Sequence, residues 1–254
     1  MDKPTGQLGL DGPIRAVITG ARGGVGAALV EHILAASSDN TVVATGRDHS
    51  WVHTGHSRRC GRHFLDFSQE SSIADLAARL QADQWQPNVI INAAGLLHDG
   101  GLQPERTWRH LSADNLQRLF IINATGPALL VKHLLPLLPR DQRTIFASLS
   151  ARIGSIGDNR LGGWYGYRAS KAAHNMLLKT ASIEARRRWP SLVIAALHPG
   201  TVDSDLSAPF QRNVPPQKLF SPSFSAAQLC AVLGDLQPRD SGGFFAYDGT
   251  AIEW

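Results

Sequence analysis

The sequence has few cysteines and no long apolar run. Of its 254 residues only two are cysteines, Cys60 and Cys230, which excludes a disulfide framework and favours a reducing compartment. No run of roughly 18 apolar residues occurs, which argues against a membrane-spanning helix. Residues 1–13 lack the apolar segment of a signal peptide. Together these absences predict a cytoplasmic protein with no membrane partner.

Charge of one sign is not concentrated in blocks. The chain has 25 lysines and arginines, 21 aspartates and glutamates, and a formal net charge of +4. A basic balance is compatible with nucleic acid, a membrane surface or a phosphorylated ligand. The basic residues are spread along the chain except at Arg186–Arg188, which end a predicted helix and suit its dipole. We therefore expect no nucleic-acid partner.

One polar segment contains side chains that are able to bind zinc. Their spacing is compatible with a zinc site, and they are His53, His56, Cys60 and His63. Three arginines lie in the same segment, and their positive charge disfavours a bound cation. A mobile basic loop explains the segment better, so the sequence predicts no metal.

Short apolar runs alternate with segments whose apolar residues recur at helical spacing. The predicted strands are 14–18, 41–45, 64–65, 89–92, 144–147, 192–197 and 244–246. The predicted helices are 25–36, 71–82, 114–135, 165–188 and 225–236, and residues 47–63 are predicted to form a loop. We expect the helix 114–135 to bend near Gly126-Pro127.

This alternation predicts an α/β fold. We expect a doubly wound sheet of about seven mainly parallel strands, with helices on both faces. Apolar residues make up 43% of the chain and charged residues 18%, which is typical of a globular protein with a sizeable core. Residues 1–13 are predicted to be a flexible leader and 14–254 a single domain. The proline-rich segment 207–221 is predicted to form a lid over the substrate.

A glycine-rich turn joins the first predicted strand to the first predicted helix. It reads T-G-A-R-G-G-V-G over residues 19–26. Gly20, Gly24 and Gly26 allow a tight turn, close approach to a pyrophosphate and close packing of helix on strand. The helix N-terminus adds free N–H groups and a positive dipole. The turn predicts a Rossmann-type nucleotide site with Arg22 and Val25 as further contacts, and an ordinary βα turn is the alternative.

The glycine spacing G-x-x-x-G-x-G resembles that of the short-chain dehydrogenase/reductase family. The segments 154–175 and 247–254 narrow the resemblance to its C-factor/sniffer-like carbonyl reductase branch. The resemblance implies hydride transfer between a nicotinamide cofactor and a small carbonyl or alcohol substrate. It also implies a homodimer or homotetramer formed through the two long helices. The alternative is a signalling or cofactor-sensing protein with weak or no catalysis.

The end of the second predicted strand bears on which cofactor is used. NAD-dependent enzymes usually place a carboxylate there to bind the ribose 2′-hydroxyl, whereas this chain has Arg47. Arg47, helped by Arg22, is able to bond a 2′-phosphate, so we expect NADP(H) in preference to NAD(H). The alternative is that both arginines are merely solvated. The resemblance implies further cofactor contacts at Asp66, Phe67, Asn92, Ala93, Ala94, Gly95, Pro199, Gly200, Val202 and Ser204.

A tyrosine and a lysine carry the expected chemistry. Tyr167 and Lys171 stand four residues apart on a predicted helix, so their side chains share one face. Reduction of a carbonyl needs a proton donor, and a nearby cation favours the phenolate of a tyrosine whose ordinary pKa is about 10. Taken alone, such a pair is more often an ordinary surface pair. The resemblance adds that Lys171 bonds the nicotinamide ribose and that Asn123 holds a water in a proton relay.

One family feature is missing. The resemblance implies a serine that bonds the substrate carbonyl after the fifth strand, and alignment on Gly154 places Ala151 at that position. Ser150 is the best remaining hydroxyl. Successive strand residues point to opposite faces, so Ser150 needs a local distortion to reach the substrate.

Overall fold

A seven-stranded parallel sheet forms the centre of the protein in a computed structural model that describes residues 7–54 and 57–254. The strands are β1 Arg15–Thr19, β2 Thr41–Gly46, β3 Cys60–Phe64, β4 Val89–Asn92, β5 Thr144–Leu149, β6 Leu192–His198, β7 Thr201–Val202, β8 Leu219–Phe220 and β9 Gly243–Ala246. The sheet order is β3-β2-β1-β4-β5-β6-β9, and β7 pairs separately with β8. All pairings between these strands are parallel.

Helices cover both faces of the sheet. They are α1 Gly24–Ala36, α2 His49–Val52, α3 Glu70–Ala82, α4 Ala113–Phe120, α5 Gly126–Leu134, α6 Tyr165–Ala185 and α7 Pro222–Asp235. One core contains Ile18 of β1 with apolar residues of α1 and α7. The other contains the preceding residue, Val17, with apolar residues of α3, α5 and α6. This alternation along one strand confirms the predicted doubly wound α/β fold.

The start of the described chain is packed rather than free. Leu8 and Leu10 are buried and join the core beneath α1 and α7. A 3-10 turn, Gln7–Gly9, carries this segment against α7. The prediction of a flexible leader is therefore wrong for residues 8–10, because their apolar side chains find a place in the core. Residues 1–6 lie outside the described part of the chain.

The predicted loop 47–63 contains regular structure. It holds the short helix α2 and most of β3, which begins at Cys60 instead of residue 64. Because β3 is an edge strand whose residues are all only half-buried, its sequence lacks the apolar run that marks the central strands. Within residues 7–54 and 57–254 no group of three or more histidines, cysteines and acidic residues is placed to hold a metal. His56 of the discounted zinc pattern lies outside those ranges.

The predicted helix 114–135 is interrupted one turn earlier than expected. A π-helical turn, Ile121–Thr125, separates α4 from α5, and the Gly126 N–H donates to the Ile121 carbonyl. Pro127 has no N–H to offer the Asn123 carbonyl, so the ordinary helical hydrogen bond is lost there.

By length and composition alone, Ala113–Leu137 is long and apolar enough to cross a membrane, and 44% of its most apolar window is buried inside the protein.

Candidate active site

The candidate site lies at the carboxyl ends of the central strands. The glycine-rich turn follows β1, and the predicted cofactor residues 93–95 follow β4. The order β2-β1-β4 makes this the point where the direction of winding changes, which is where doubly wound sheets bind ligands. The helix α6 brings the tyrosine and the lysine to the same end.

The glycine-rich turn packs too closely for side chains. Gly20 has a φ of +66°, and a Cβ there would stand 2.6 Å from the Ala94 nitrogen. A Cβ at Gly26 would collide with the carbonyl oxygen of Gly20. At the start of α1, a Cβ at Gly24 would stand 3.2 Å from the Ser204 Cβ. Glycine at these positions therefore lets neighbouring backbone and the segment after β6 approach closely at the N-terminus of α1, where free N–H groups and the helix dipole favour a pyrophosphate.

Two arginines flank the end of β2. The guanidinium of Arg22 lies 2.6 Å from the carboxylate of Asp48. Asp48 also caps α2 by accepting from the N–H groups of Ser50 and Trp51, and hydrogen bonding, first from the Ser50 hydroxyl, lowers its pKa. Arg47 is exposed and has no hydrogen-bond or salt-bridge partner among the described residues. Asp48 is thus engaged internally, while Arg47 is available to a ligand.

Asn92 ties the strand ends together. Its Oδ1 accepts from the Thr19 hydroxyl at 2.6 Å and from the Ala94 N–H at 3.1 Å. Its Nδ2 donates to the Ser148 hydroxyl at 2.8 Å. The buried amide joins β1, β4 and β5. Asn92 therefore shapes the backbone of residues 93–95 without offering its own side chain to a ligand.

Asp66 and Phe67 have different surroundings. Asp66 is half-buried and accepts from both the N–H and the hydroxyl of Ser68, each at 2.9 Å. The Phe67 ring is buried and packs directly on Gly126 at the start of α5. Only the backbone of Phe67 is available to a cofactor, because its side chain belongs to the core.

Tyr167 and Lys171 meet on the buried face of α6. They are 7% and 4% exposed, and the Lys171 Nζ lies 5.8 Å from the centre of the Tyr167 ring. The Lys171 Nζ donates to the Leu149 carbonyl at 2.9 Å. A Cβ at Gly95 would stand 3.6 Å from both this Nζ and the Asn123 Oδ1. The end of β5, the turn after β4 and the π-helical turn therefore surround the pair.

Burial changes the proton affinity of both groups. It raises the pKa of Tyr167 above its usual value, so the phenol is protonated near neutral pH. It lowers the pKa of Lys171 to about 8, so this ammonium holds its proton less firmly than an exposed lysine. Tyr167 is therefore a neutral group that is able to donate a proton. Lys171 is a cation that loses its proton at a lower pH than an exposed lysine does.

The Asn123 side chain is already occupied. Its amide donates to the Leu96 carbonyl and accepts from the Leu96 N–H, both at 2.8 Å, and it also donates to the Ser170 hydroxyl at 3.1 Å. These contacts engage the side chain, and the role of Asn123 in holding a water of the proton relay stays a prediction. Because Pro127 has no N–H, the main-chain carbonyl of Asn123 lacks the donor that an ordinary α-helix would supply.

The Ser150 hydroxyl has a buried partner on α6. It donates to the Asn175 Oδ1 at 2.6 Å, and both side chains are buried. This bond engages the proton that Ser150 would offer to a substrate carbonyl, and that role stays a prediction. Ala151 instead lies in the apolar cluster around Tyr167, as the alternation of successive residues requires.

An apolar wall surrounds the tyrosine. It consists of Leu96, Leu97, Leu102, Leu119 and Tyr167, with the partly buried Ile122, Ala151, Ile153, Trp164 and Phe210. Phe210 belongs to the predicted lid, and its ring lies 4.8 Å from that of Trp164. Sequence reasoning missed Trp164, whose only local signal is the pair of glycines before it.

The residues after β6 complete the predicted nicotinamide end. Gly200 has a φ of +79°, and a Cβ there would stand 2.6 Å from the Phe220 ring. The Pro199 carbonyl accepts from the Ser225 hydroxyl at 2.9 Å. The Ser204 hydroxyl makes only a long 3.3 Å bond to the Val202 carbonyl. This segment lies close to Gly24 of the glycine-rich turn and keeps one hydroxyl available.

Two curated relatives are similar to this chain over more than half of its length. A 1-hydroxy-2-glutathionyl-2-methyl-3-butene dehydrogenase of Rhodococcus sp. (strain AD45) is 31% identical over 75% of this chain and 78% of its own length. The C-signal protein of Myxococcus xanthus is 35% identical over 55% of this chain and 79% of its own length. These likenesses confirm the predicted family and its C-factor-like branch.

Solved structures show the same fold over almost the whole chain. Carbonyl reductase Sniffer of D. melanogaster has a TM-score of 0.82 at 24% identity, covering 96% of this chain and 100% of its own. An NADPH-bound carbonyl reductase from chicken fatty liver has a TM-score of 0.82 at 26% identity, covering 96% of both chains. The family model described as short chain dehydrogenase matches residues 15–215. The chain therefore belongs to the short chain dehydrogenase family of oxidoreductases.

Proposed function

We propose that the protein is an NADP(H)-dependent carbonyl reductase or alcohol dehydrogenase that acts on a small-molecule substrate. The observation that carries this proposal is the buried pair of Tyr167 and Lys171 at the carboxyl ends of the strands. A purely binding role gives no reason for a protonated phenol and a buried ammonium on one helix face. The carbonyl reductase that is similar in structure adds support.

The residues present fit a phosphorylated dinucleotide. The turn that contains Gly20, Gly24 and Gly26 would hold the pyrophosphate, because the start of α1 offers backbone N–H groups and the positive end of the helix dipole. Arg47 and Arg22 would pair with a 2′-phosphate, which is why we propose a preference for NADP(H) over NAD(H). The solved NADPH-bound carbonyl reductase is consistent with this choice. When bound, the nicotinamide supplies or accepts the hydride.

The chain's own residues manage the proton. Tyr167 gives the proton of its phenol oxygen to the alkoxide that forms on the substrate. The charged Lys171 stabilises the resulting phenolate and would bind the nicotinamide ribose, while the Leu149 carbonyl fixes its position. Asn123, whose main-chain carbonyl receives no N–H from Pro127, would hold a water that returns the proton to Tyr167. The apolar wall around Tyr167 excludes other water.

A second function is favoured by one observation. Ala151 occupies the expected serine position, and Ser150 is engaged with Asn175. Loss of one donor to a developing oxyanion typically costs about 3 kcal/mol, or roughly a hundredfold in rate. The second candidate is therefore a cofactor-sensing or signalling protein with weak catalysis. The similarity to a protein named C-signal is consistent with it.

Two further expectations remain proposals. We propose a homodimer or homotetramer that buries the outer faces of the two long helical segments. On α6 this face exposes Met176 and Ile183. We also propose a cytoplasmic location, because Cys230 and Cys60 are both free thiols.

The proposed function is tested by NADPH consumption with purified protein across aldehydes, ketones and quinones, with NADH run alongside. Turnover that is faster with NADPH than with NADH supports both the reductase function and the pairing of Arg47 with the 2′-phosphate. Saturable NADPH binding without turnover on any carbonyl would overturn the reductase and favour the sensing protein.

A further inference from the structure

Trp164 has an unusual backbone conformation three residues before Tyr167. Its φ and ψ are 52° and 42°, in the left-handed region. Gly162 and Gly163 before it also have positive φ values, 62° and 66°. A bulky residue persists in this region only where its surroundings enforce it, and such positions cluster at functional sites.

Glu105 enforces this conformation from one side. It is only 2% exposed, and its main-chain carbonyl accepts from the Trp164 N–H at 2.6 Å. Its carboxylate accepts from the Gly166 N–H at 3.1 Å, within the first turn of α6. A carboxylate is stabilised there by the positive end of the helix dipole. One residue thus holds the turn on both sides of Tyr165.

Arg168 holds the same turn from the other side. Its guanidinium donates to the carbonyls of Gly162 at 3.2 Å and Gly163 at 3.0 Å. It also donates to the Ile153 carbonyl at 3.3 Å. Because both the N–H and the carbonyl groups of the turn are fixed, the direction of the Trp164 Cα–Cβ bond is fixed as well.

The Trp164 ring is placed beside the tyrosine that donates the proton. It packs edge-on against the Tyr167 ring, with the ring centres 6.3 Å apart. It also packs at a tilt against the Phe210 ring, with the ring centres 4.8 Å apart. Phe210 in turn packs against His98 at 5.6 Å, and the His98 Nε2 bonds the Asp205 carbonyl at 3.1 Å. Three separate segments therefore converge on one aromatic surface next to Tyr167.

The electrostatics of this surface select against charge. The side chains of the apolar wall carry no formal charge. The carboxylate of Glu105 and the side chain of Leu119 both lie against Gly166, so this carboxylate is close to the apolar wall. An anionic substituent beside Trp164 would lose its hydration and gain no cation from the wall.

We propose that Trp164 is a specificity-determining residue that packs a flat, uncharged substituent of the carbonyl substrate, and that Glu105 is its positioning residue. This inference rests on the proposed reductase function. The substrate carbonyl then lies beside the Tyr167 hydroxyl, while an aryl or similarly flat group lies along the Trp164 and Phe210 rings.

The test compares an aryl ketone with a small aliphatic ketone, using NADPH. Trp164→Ala should lower kcat/KM for the aryl ketone about tenfold and change that for the aliphatic ketone less than about twofold, because an aromatic pair contributes roughly tenfold in affinity. Trp164→Phe should keep most of the preference. Trp108→Ala, which removes a 66% exposed indole outside the wall, should leave both values unchanged.

Equal losses for the two ketones in Trp164→Ala, or no loss, would overturn the specificity role while leaving the reductase function standing. If the wild-type protein reduces neither ketone nor any other carbonyl, both proposals fall together. The two failures are therefore distinguishable by the wild-type rate alone.

The role of Glu105 has its own readout. Glu105→Gln keeps an acceptor for the Gly166 N–H and should keep the aryl preference. Glu105→Ala should move the ratio of the two kcat/KM values toward that of Trp164→Ala, with unchanged NADPH affinity. A purely structural role would lower both rates in proportion to the folded fraction and leave this ratio constant. That result, in Glu105→Ala or in the milder Glu105→Asp, would contradict the positioning role.

Discussion

Replacing Arg47 with alanine should separate the two nicotinamide cofactors. Arg47 is exposed at the end of β2 and has no partner among the described residues, so its charge is free for a 2′-phosphate. A hydrogen bond to a charged group is worth about 1.5–3 kcal/mol, and solvent screening at an exposed site favours the lower end. We therefore expect the KM for NADPH to rise roughly tenfold. The KM for NADH should stay nearly constant.

Arg22 provides an internal comparison. Its guanidinium already pairs with Asp48, so part of its charge is neutralised before any ligand binds. Arg22→Ala should therefore raise the KM for NADPH less than Arg47→Ala does. The assay is the initial rate at varied NADPH and NADH, at one fixed ionic strength because the interaction is salt-dependent.

The control for a general loss of positive charge is Arg58→Ala, which removes another exposed arginine from the same region. It should leave both KM values unchanged. An equal rise in the KM values for NADPH and NADH in Arg47→Ala would show that Arg47 does not bind the 2′-phosphate. An unchanged KM for NADPH would refute the reasoning as well.

Three other changes test separate parts of the account. Burial lowers the pKa of Lys171 to about 8, so the unfolded chain binds more protons than the folded chain above that pH. The unfolding free energy of wild type relative to Lys171→Met should rise with pH from 8 to 10.5, by on the order of 3 kcal/mol in urea titrations. Gly26→Ala should lower Tm by about 2–10 °C and weaken NADPH binding, because the added Cβ collides with a backbone carbonyl. The control is Gly100→Ala, whose added Cβ has no neighbouring atom within 4 Å, and it should match wild type in both measurements. Ser150→Ala should destabilise the fold by about 1–3 kcal/mol, because Asn175 loses its partner, yet leave kcat/KM unchanged.

The central strands could be predicted from sequence because they are buried on both faces. Val89–Asn92, for example, is a continuous apolar run that ends in one polar residue. The edge strand Cys60–Phe64 could not be predicted this way, since its residues are only half-buried and Arg62 and His63 interrupt any apolar run. Leu8 and Leu10 were missed because two apolar residues form no periodic pattern.

The candidate site also has features that a local sequence pattern predicts and features that it does not. Tyr167 and Lys171 could be identified because four residues of helix bring them to one face. The alternation of strand residues indicated that Ser150 needs a distortion to reach the substrate, but no local pattern indicated its bond to Asn175. The contacts of Glu105 with the turn at Trp164 join segments about sixty residues apart. No local pattern contains them.

The most direct test of the central claim separates cofactor binding from turnover in Tyr167→Phe. The variant loses only the phenol oxygen, so it should bind NADPH with wild-type affinity and retain less than about a hundredth of the carbonyl reduction rate. Tyr165→Phe makes the same change two residues earlier, on a partly exposed side chain, and should keep the full rate. Turnover in Tyr167→Phe above about a tenth of wild type, with folding and NADPH binding intact, would contradict the account by removing Tyr167 as the proton donor.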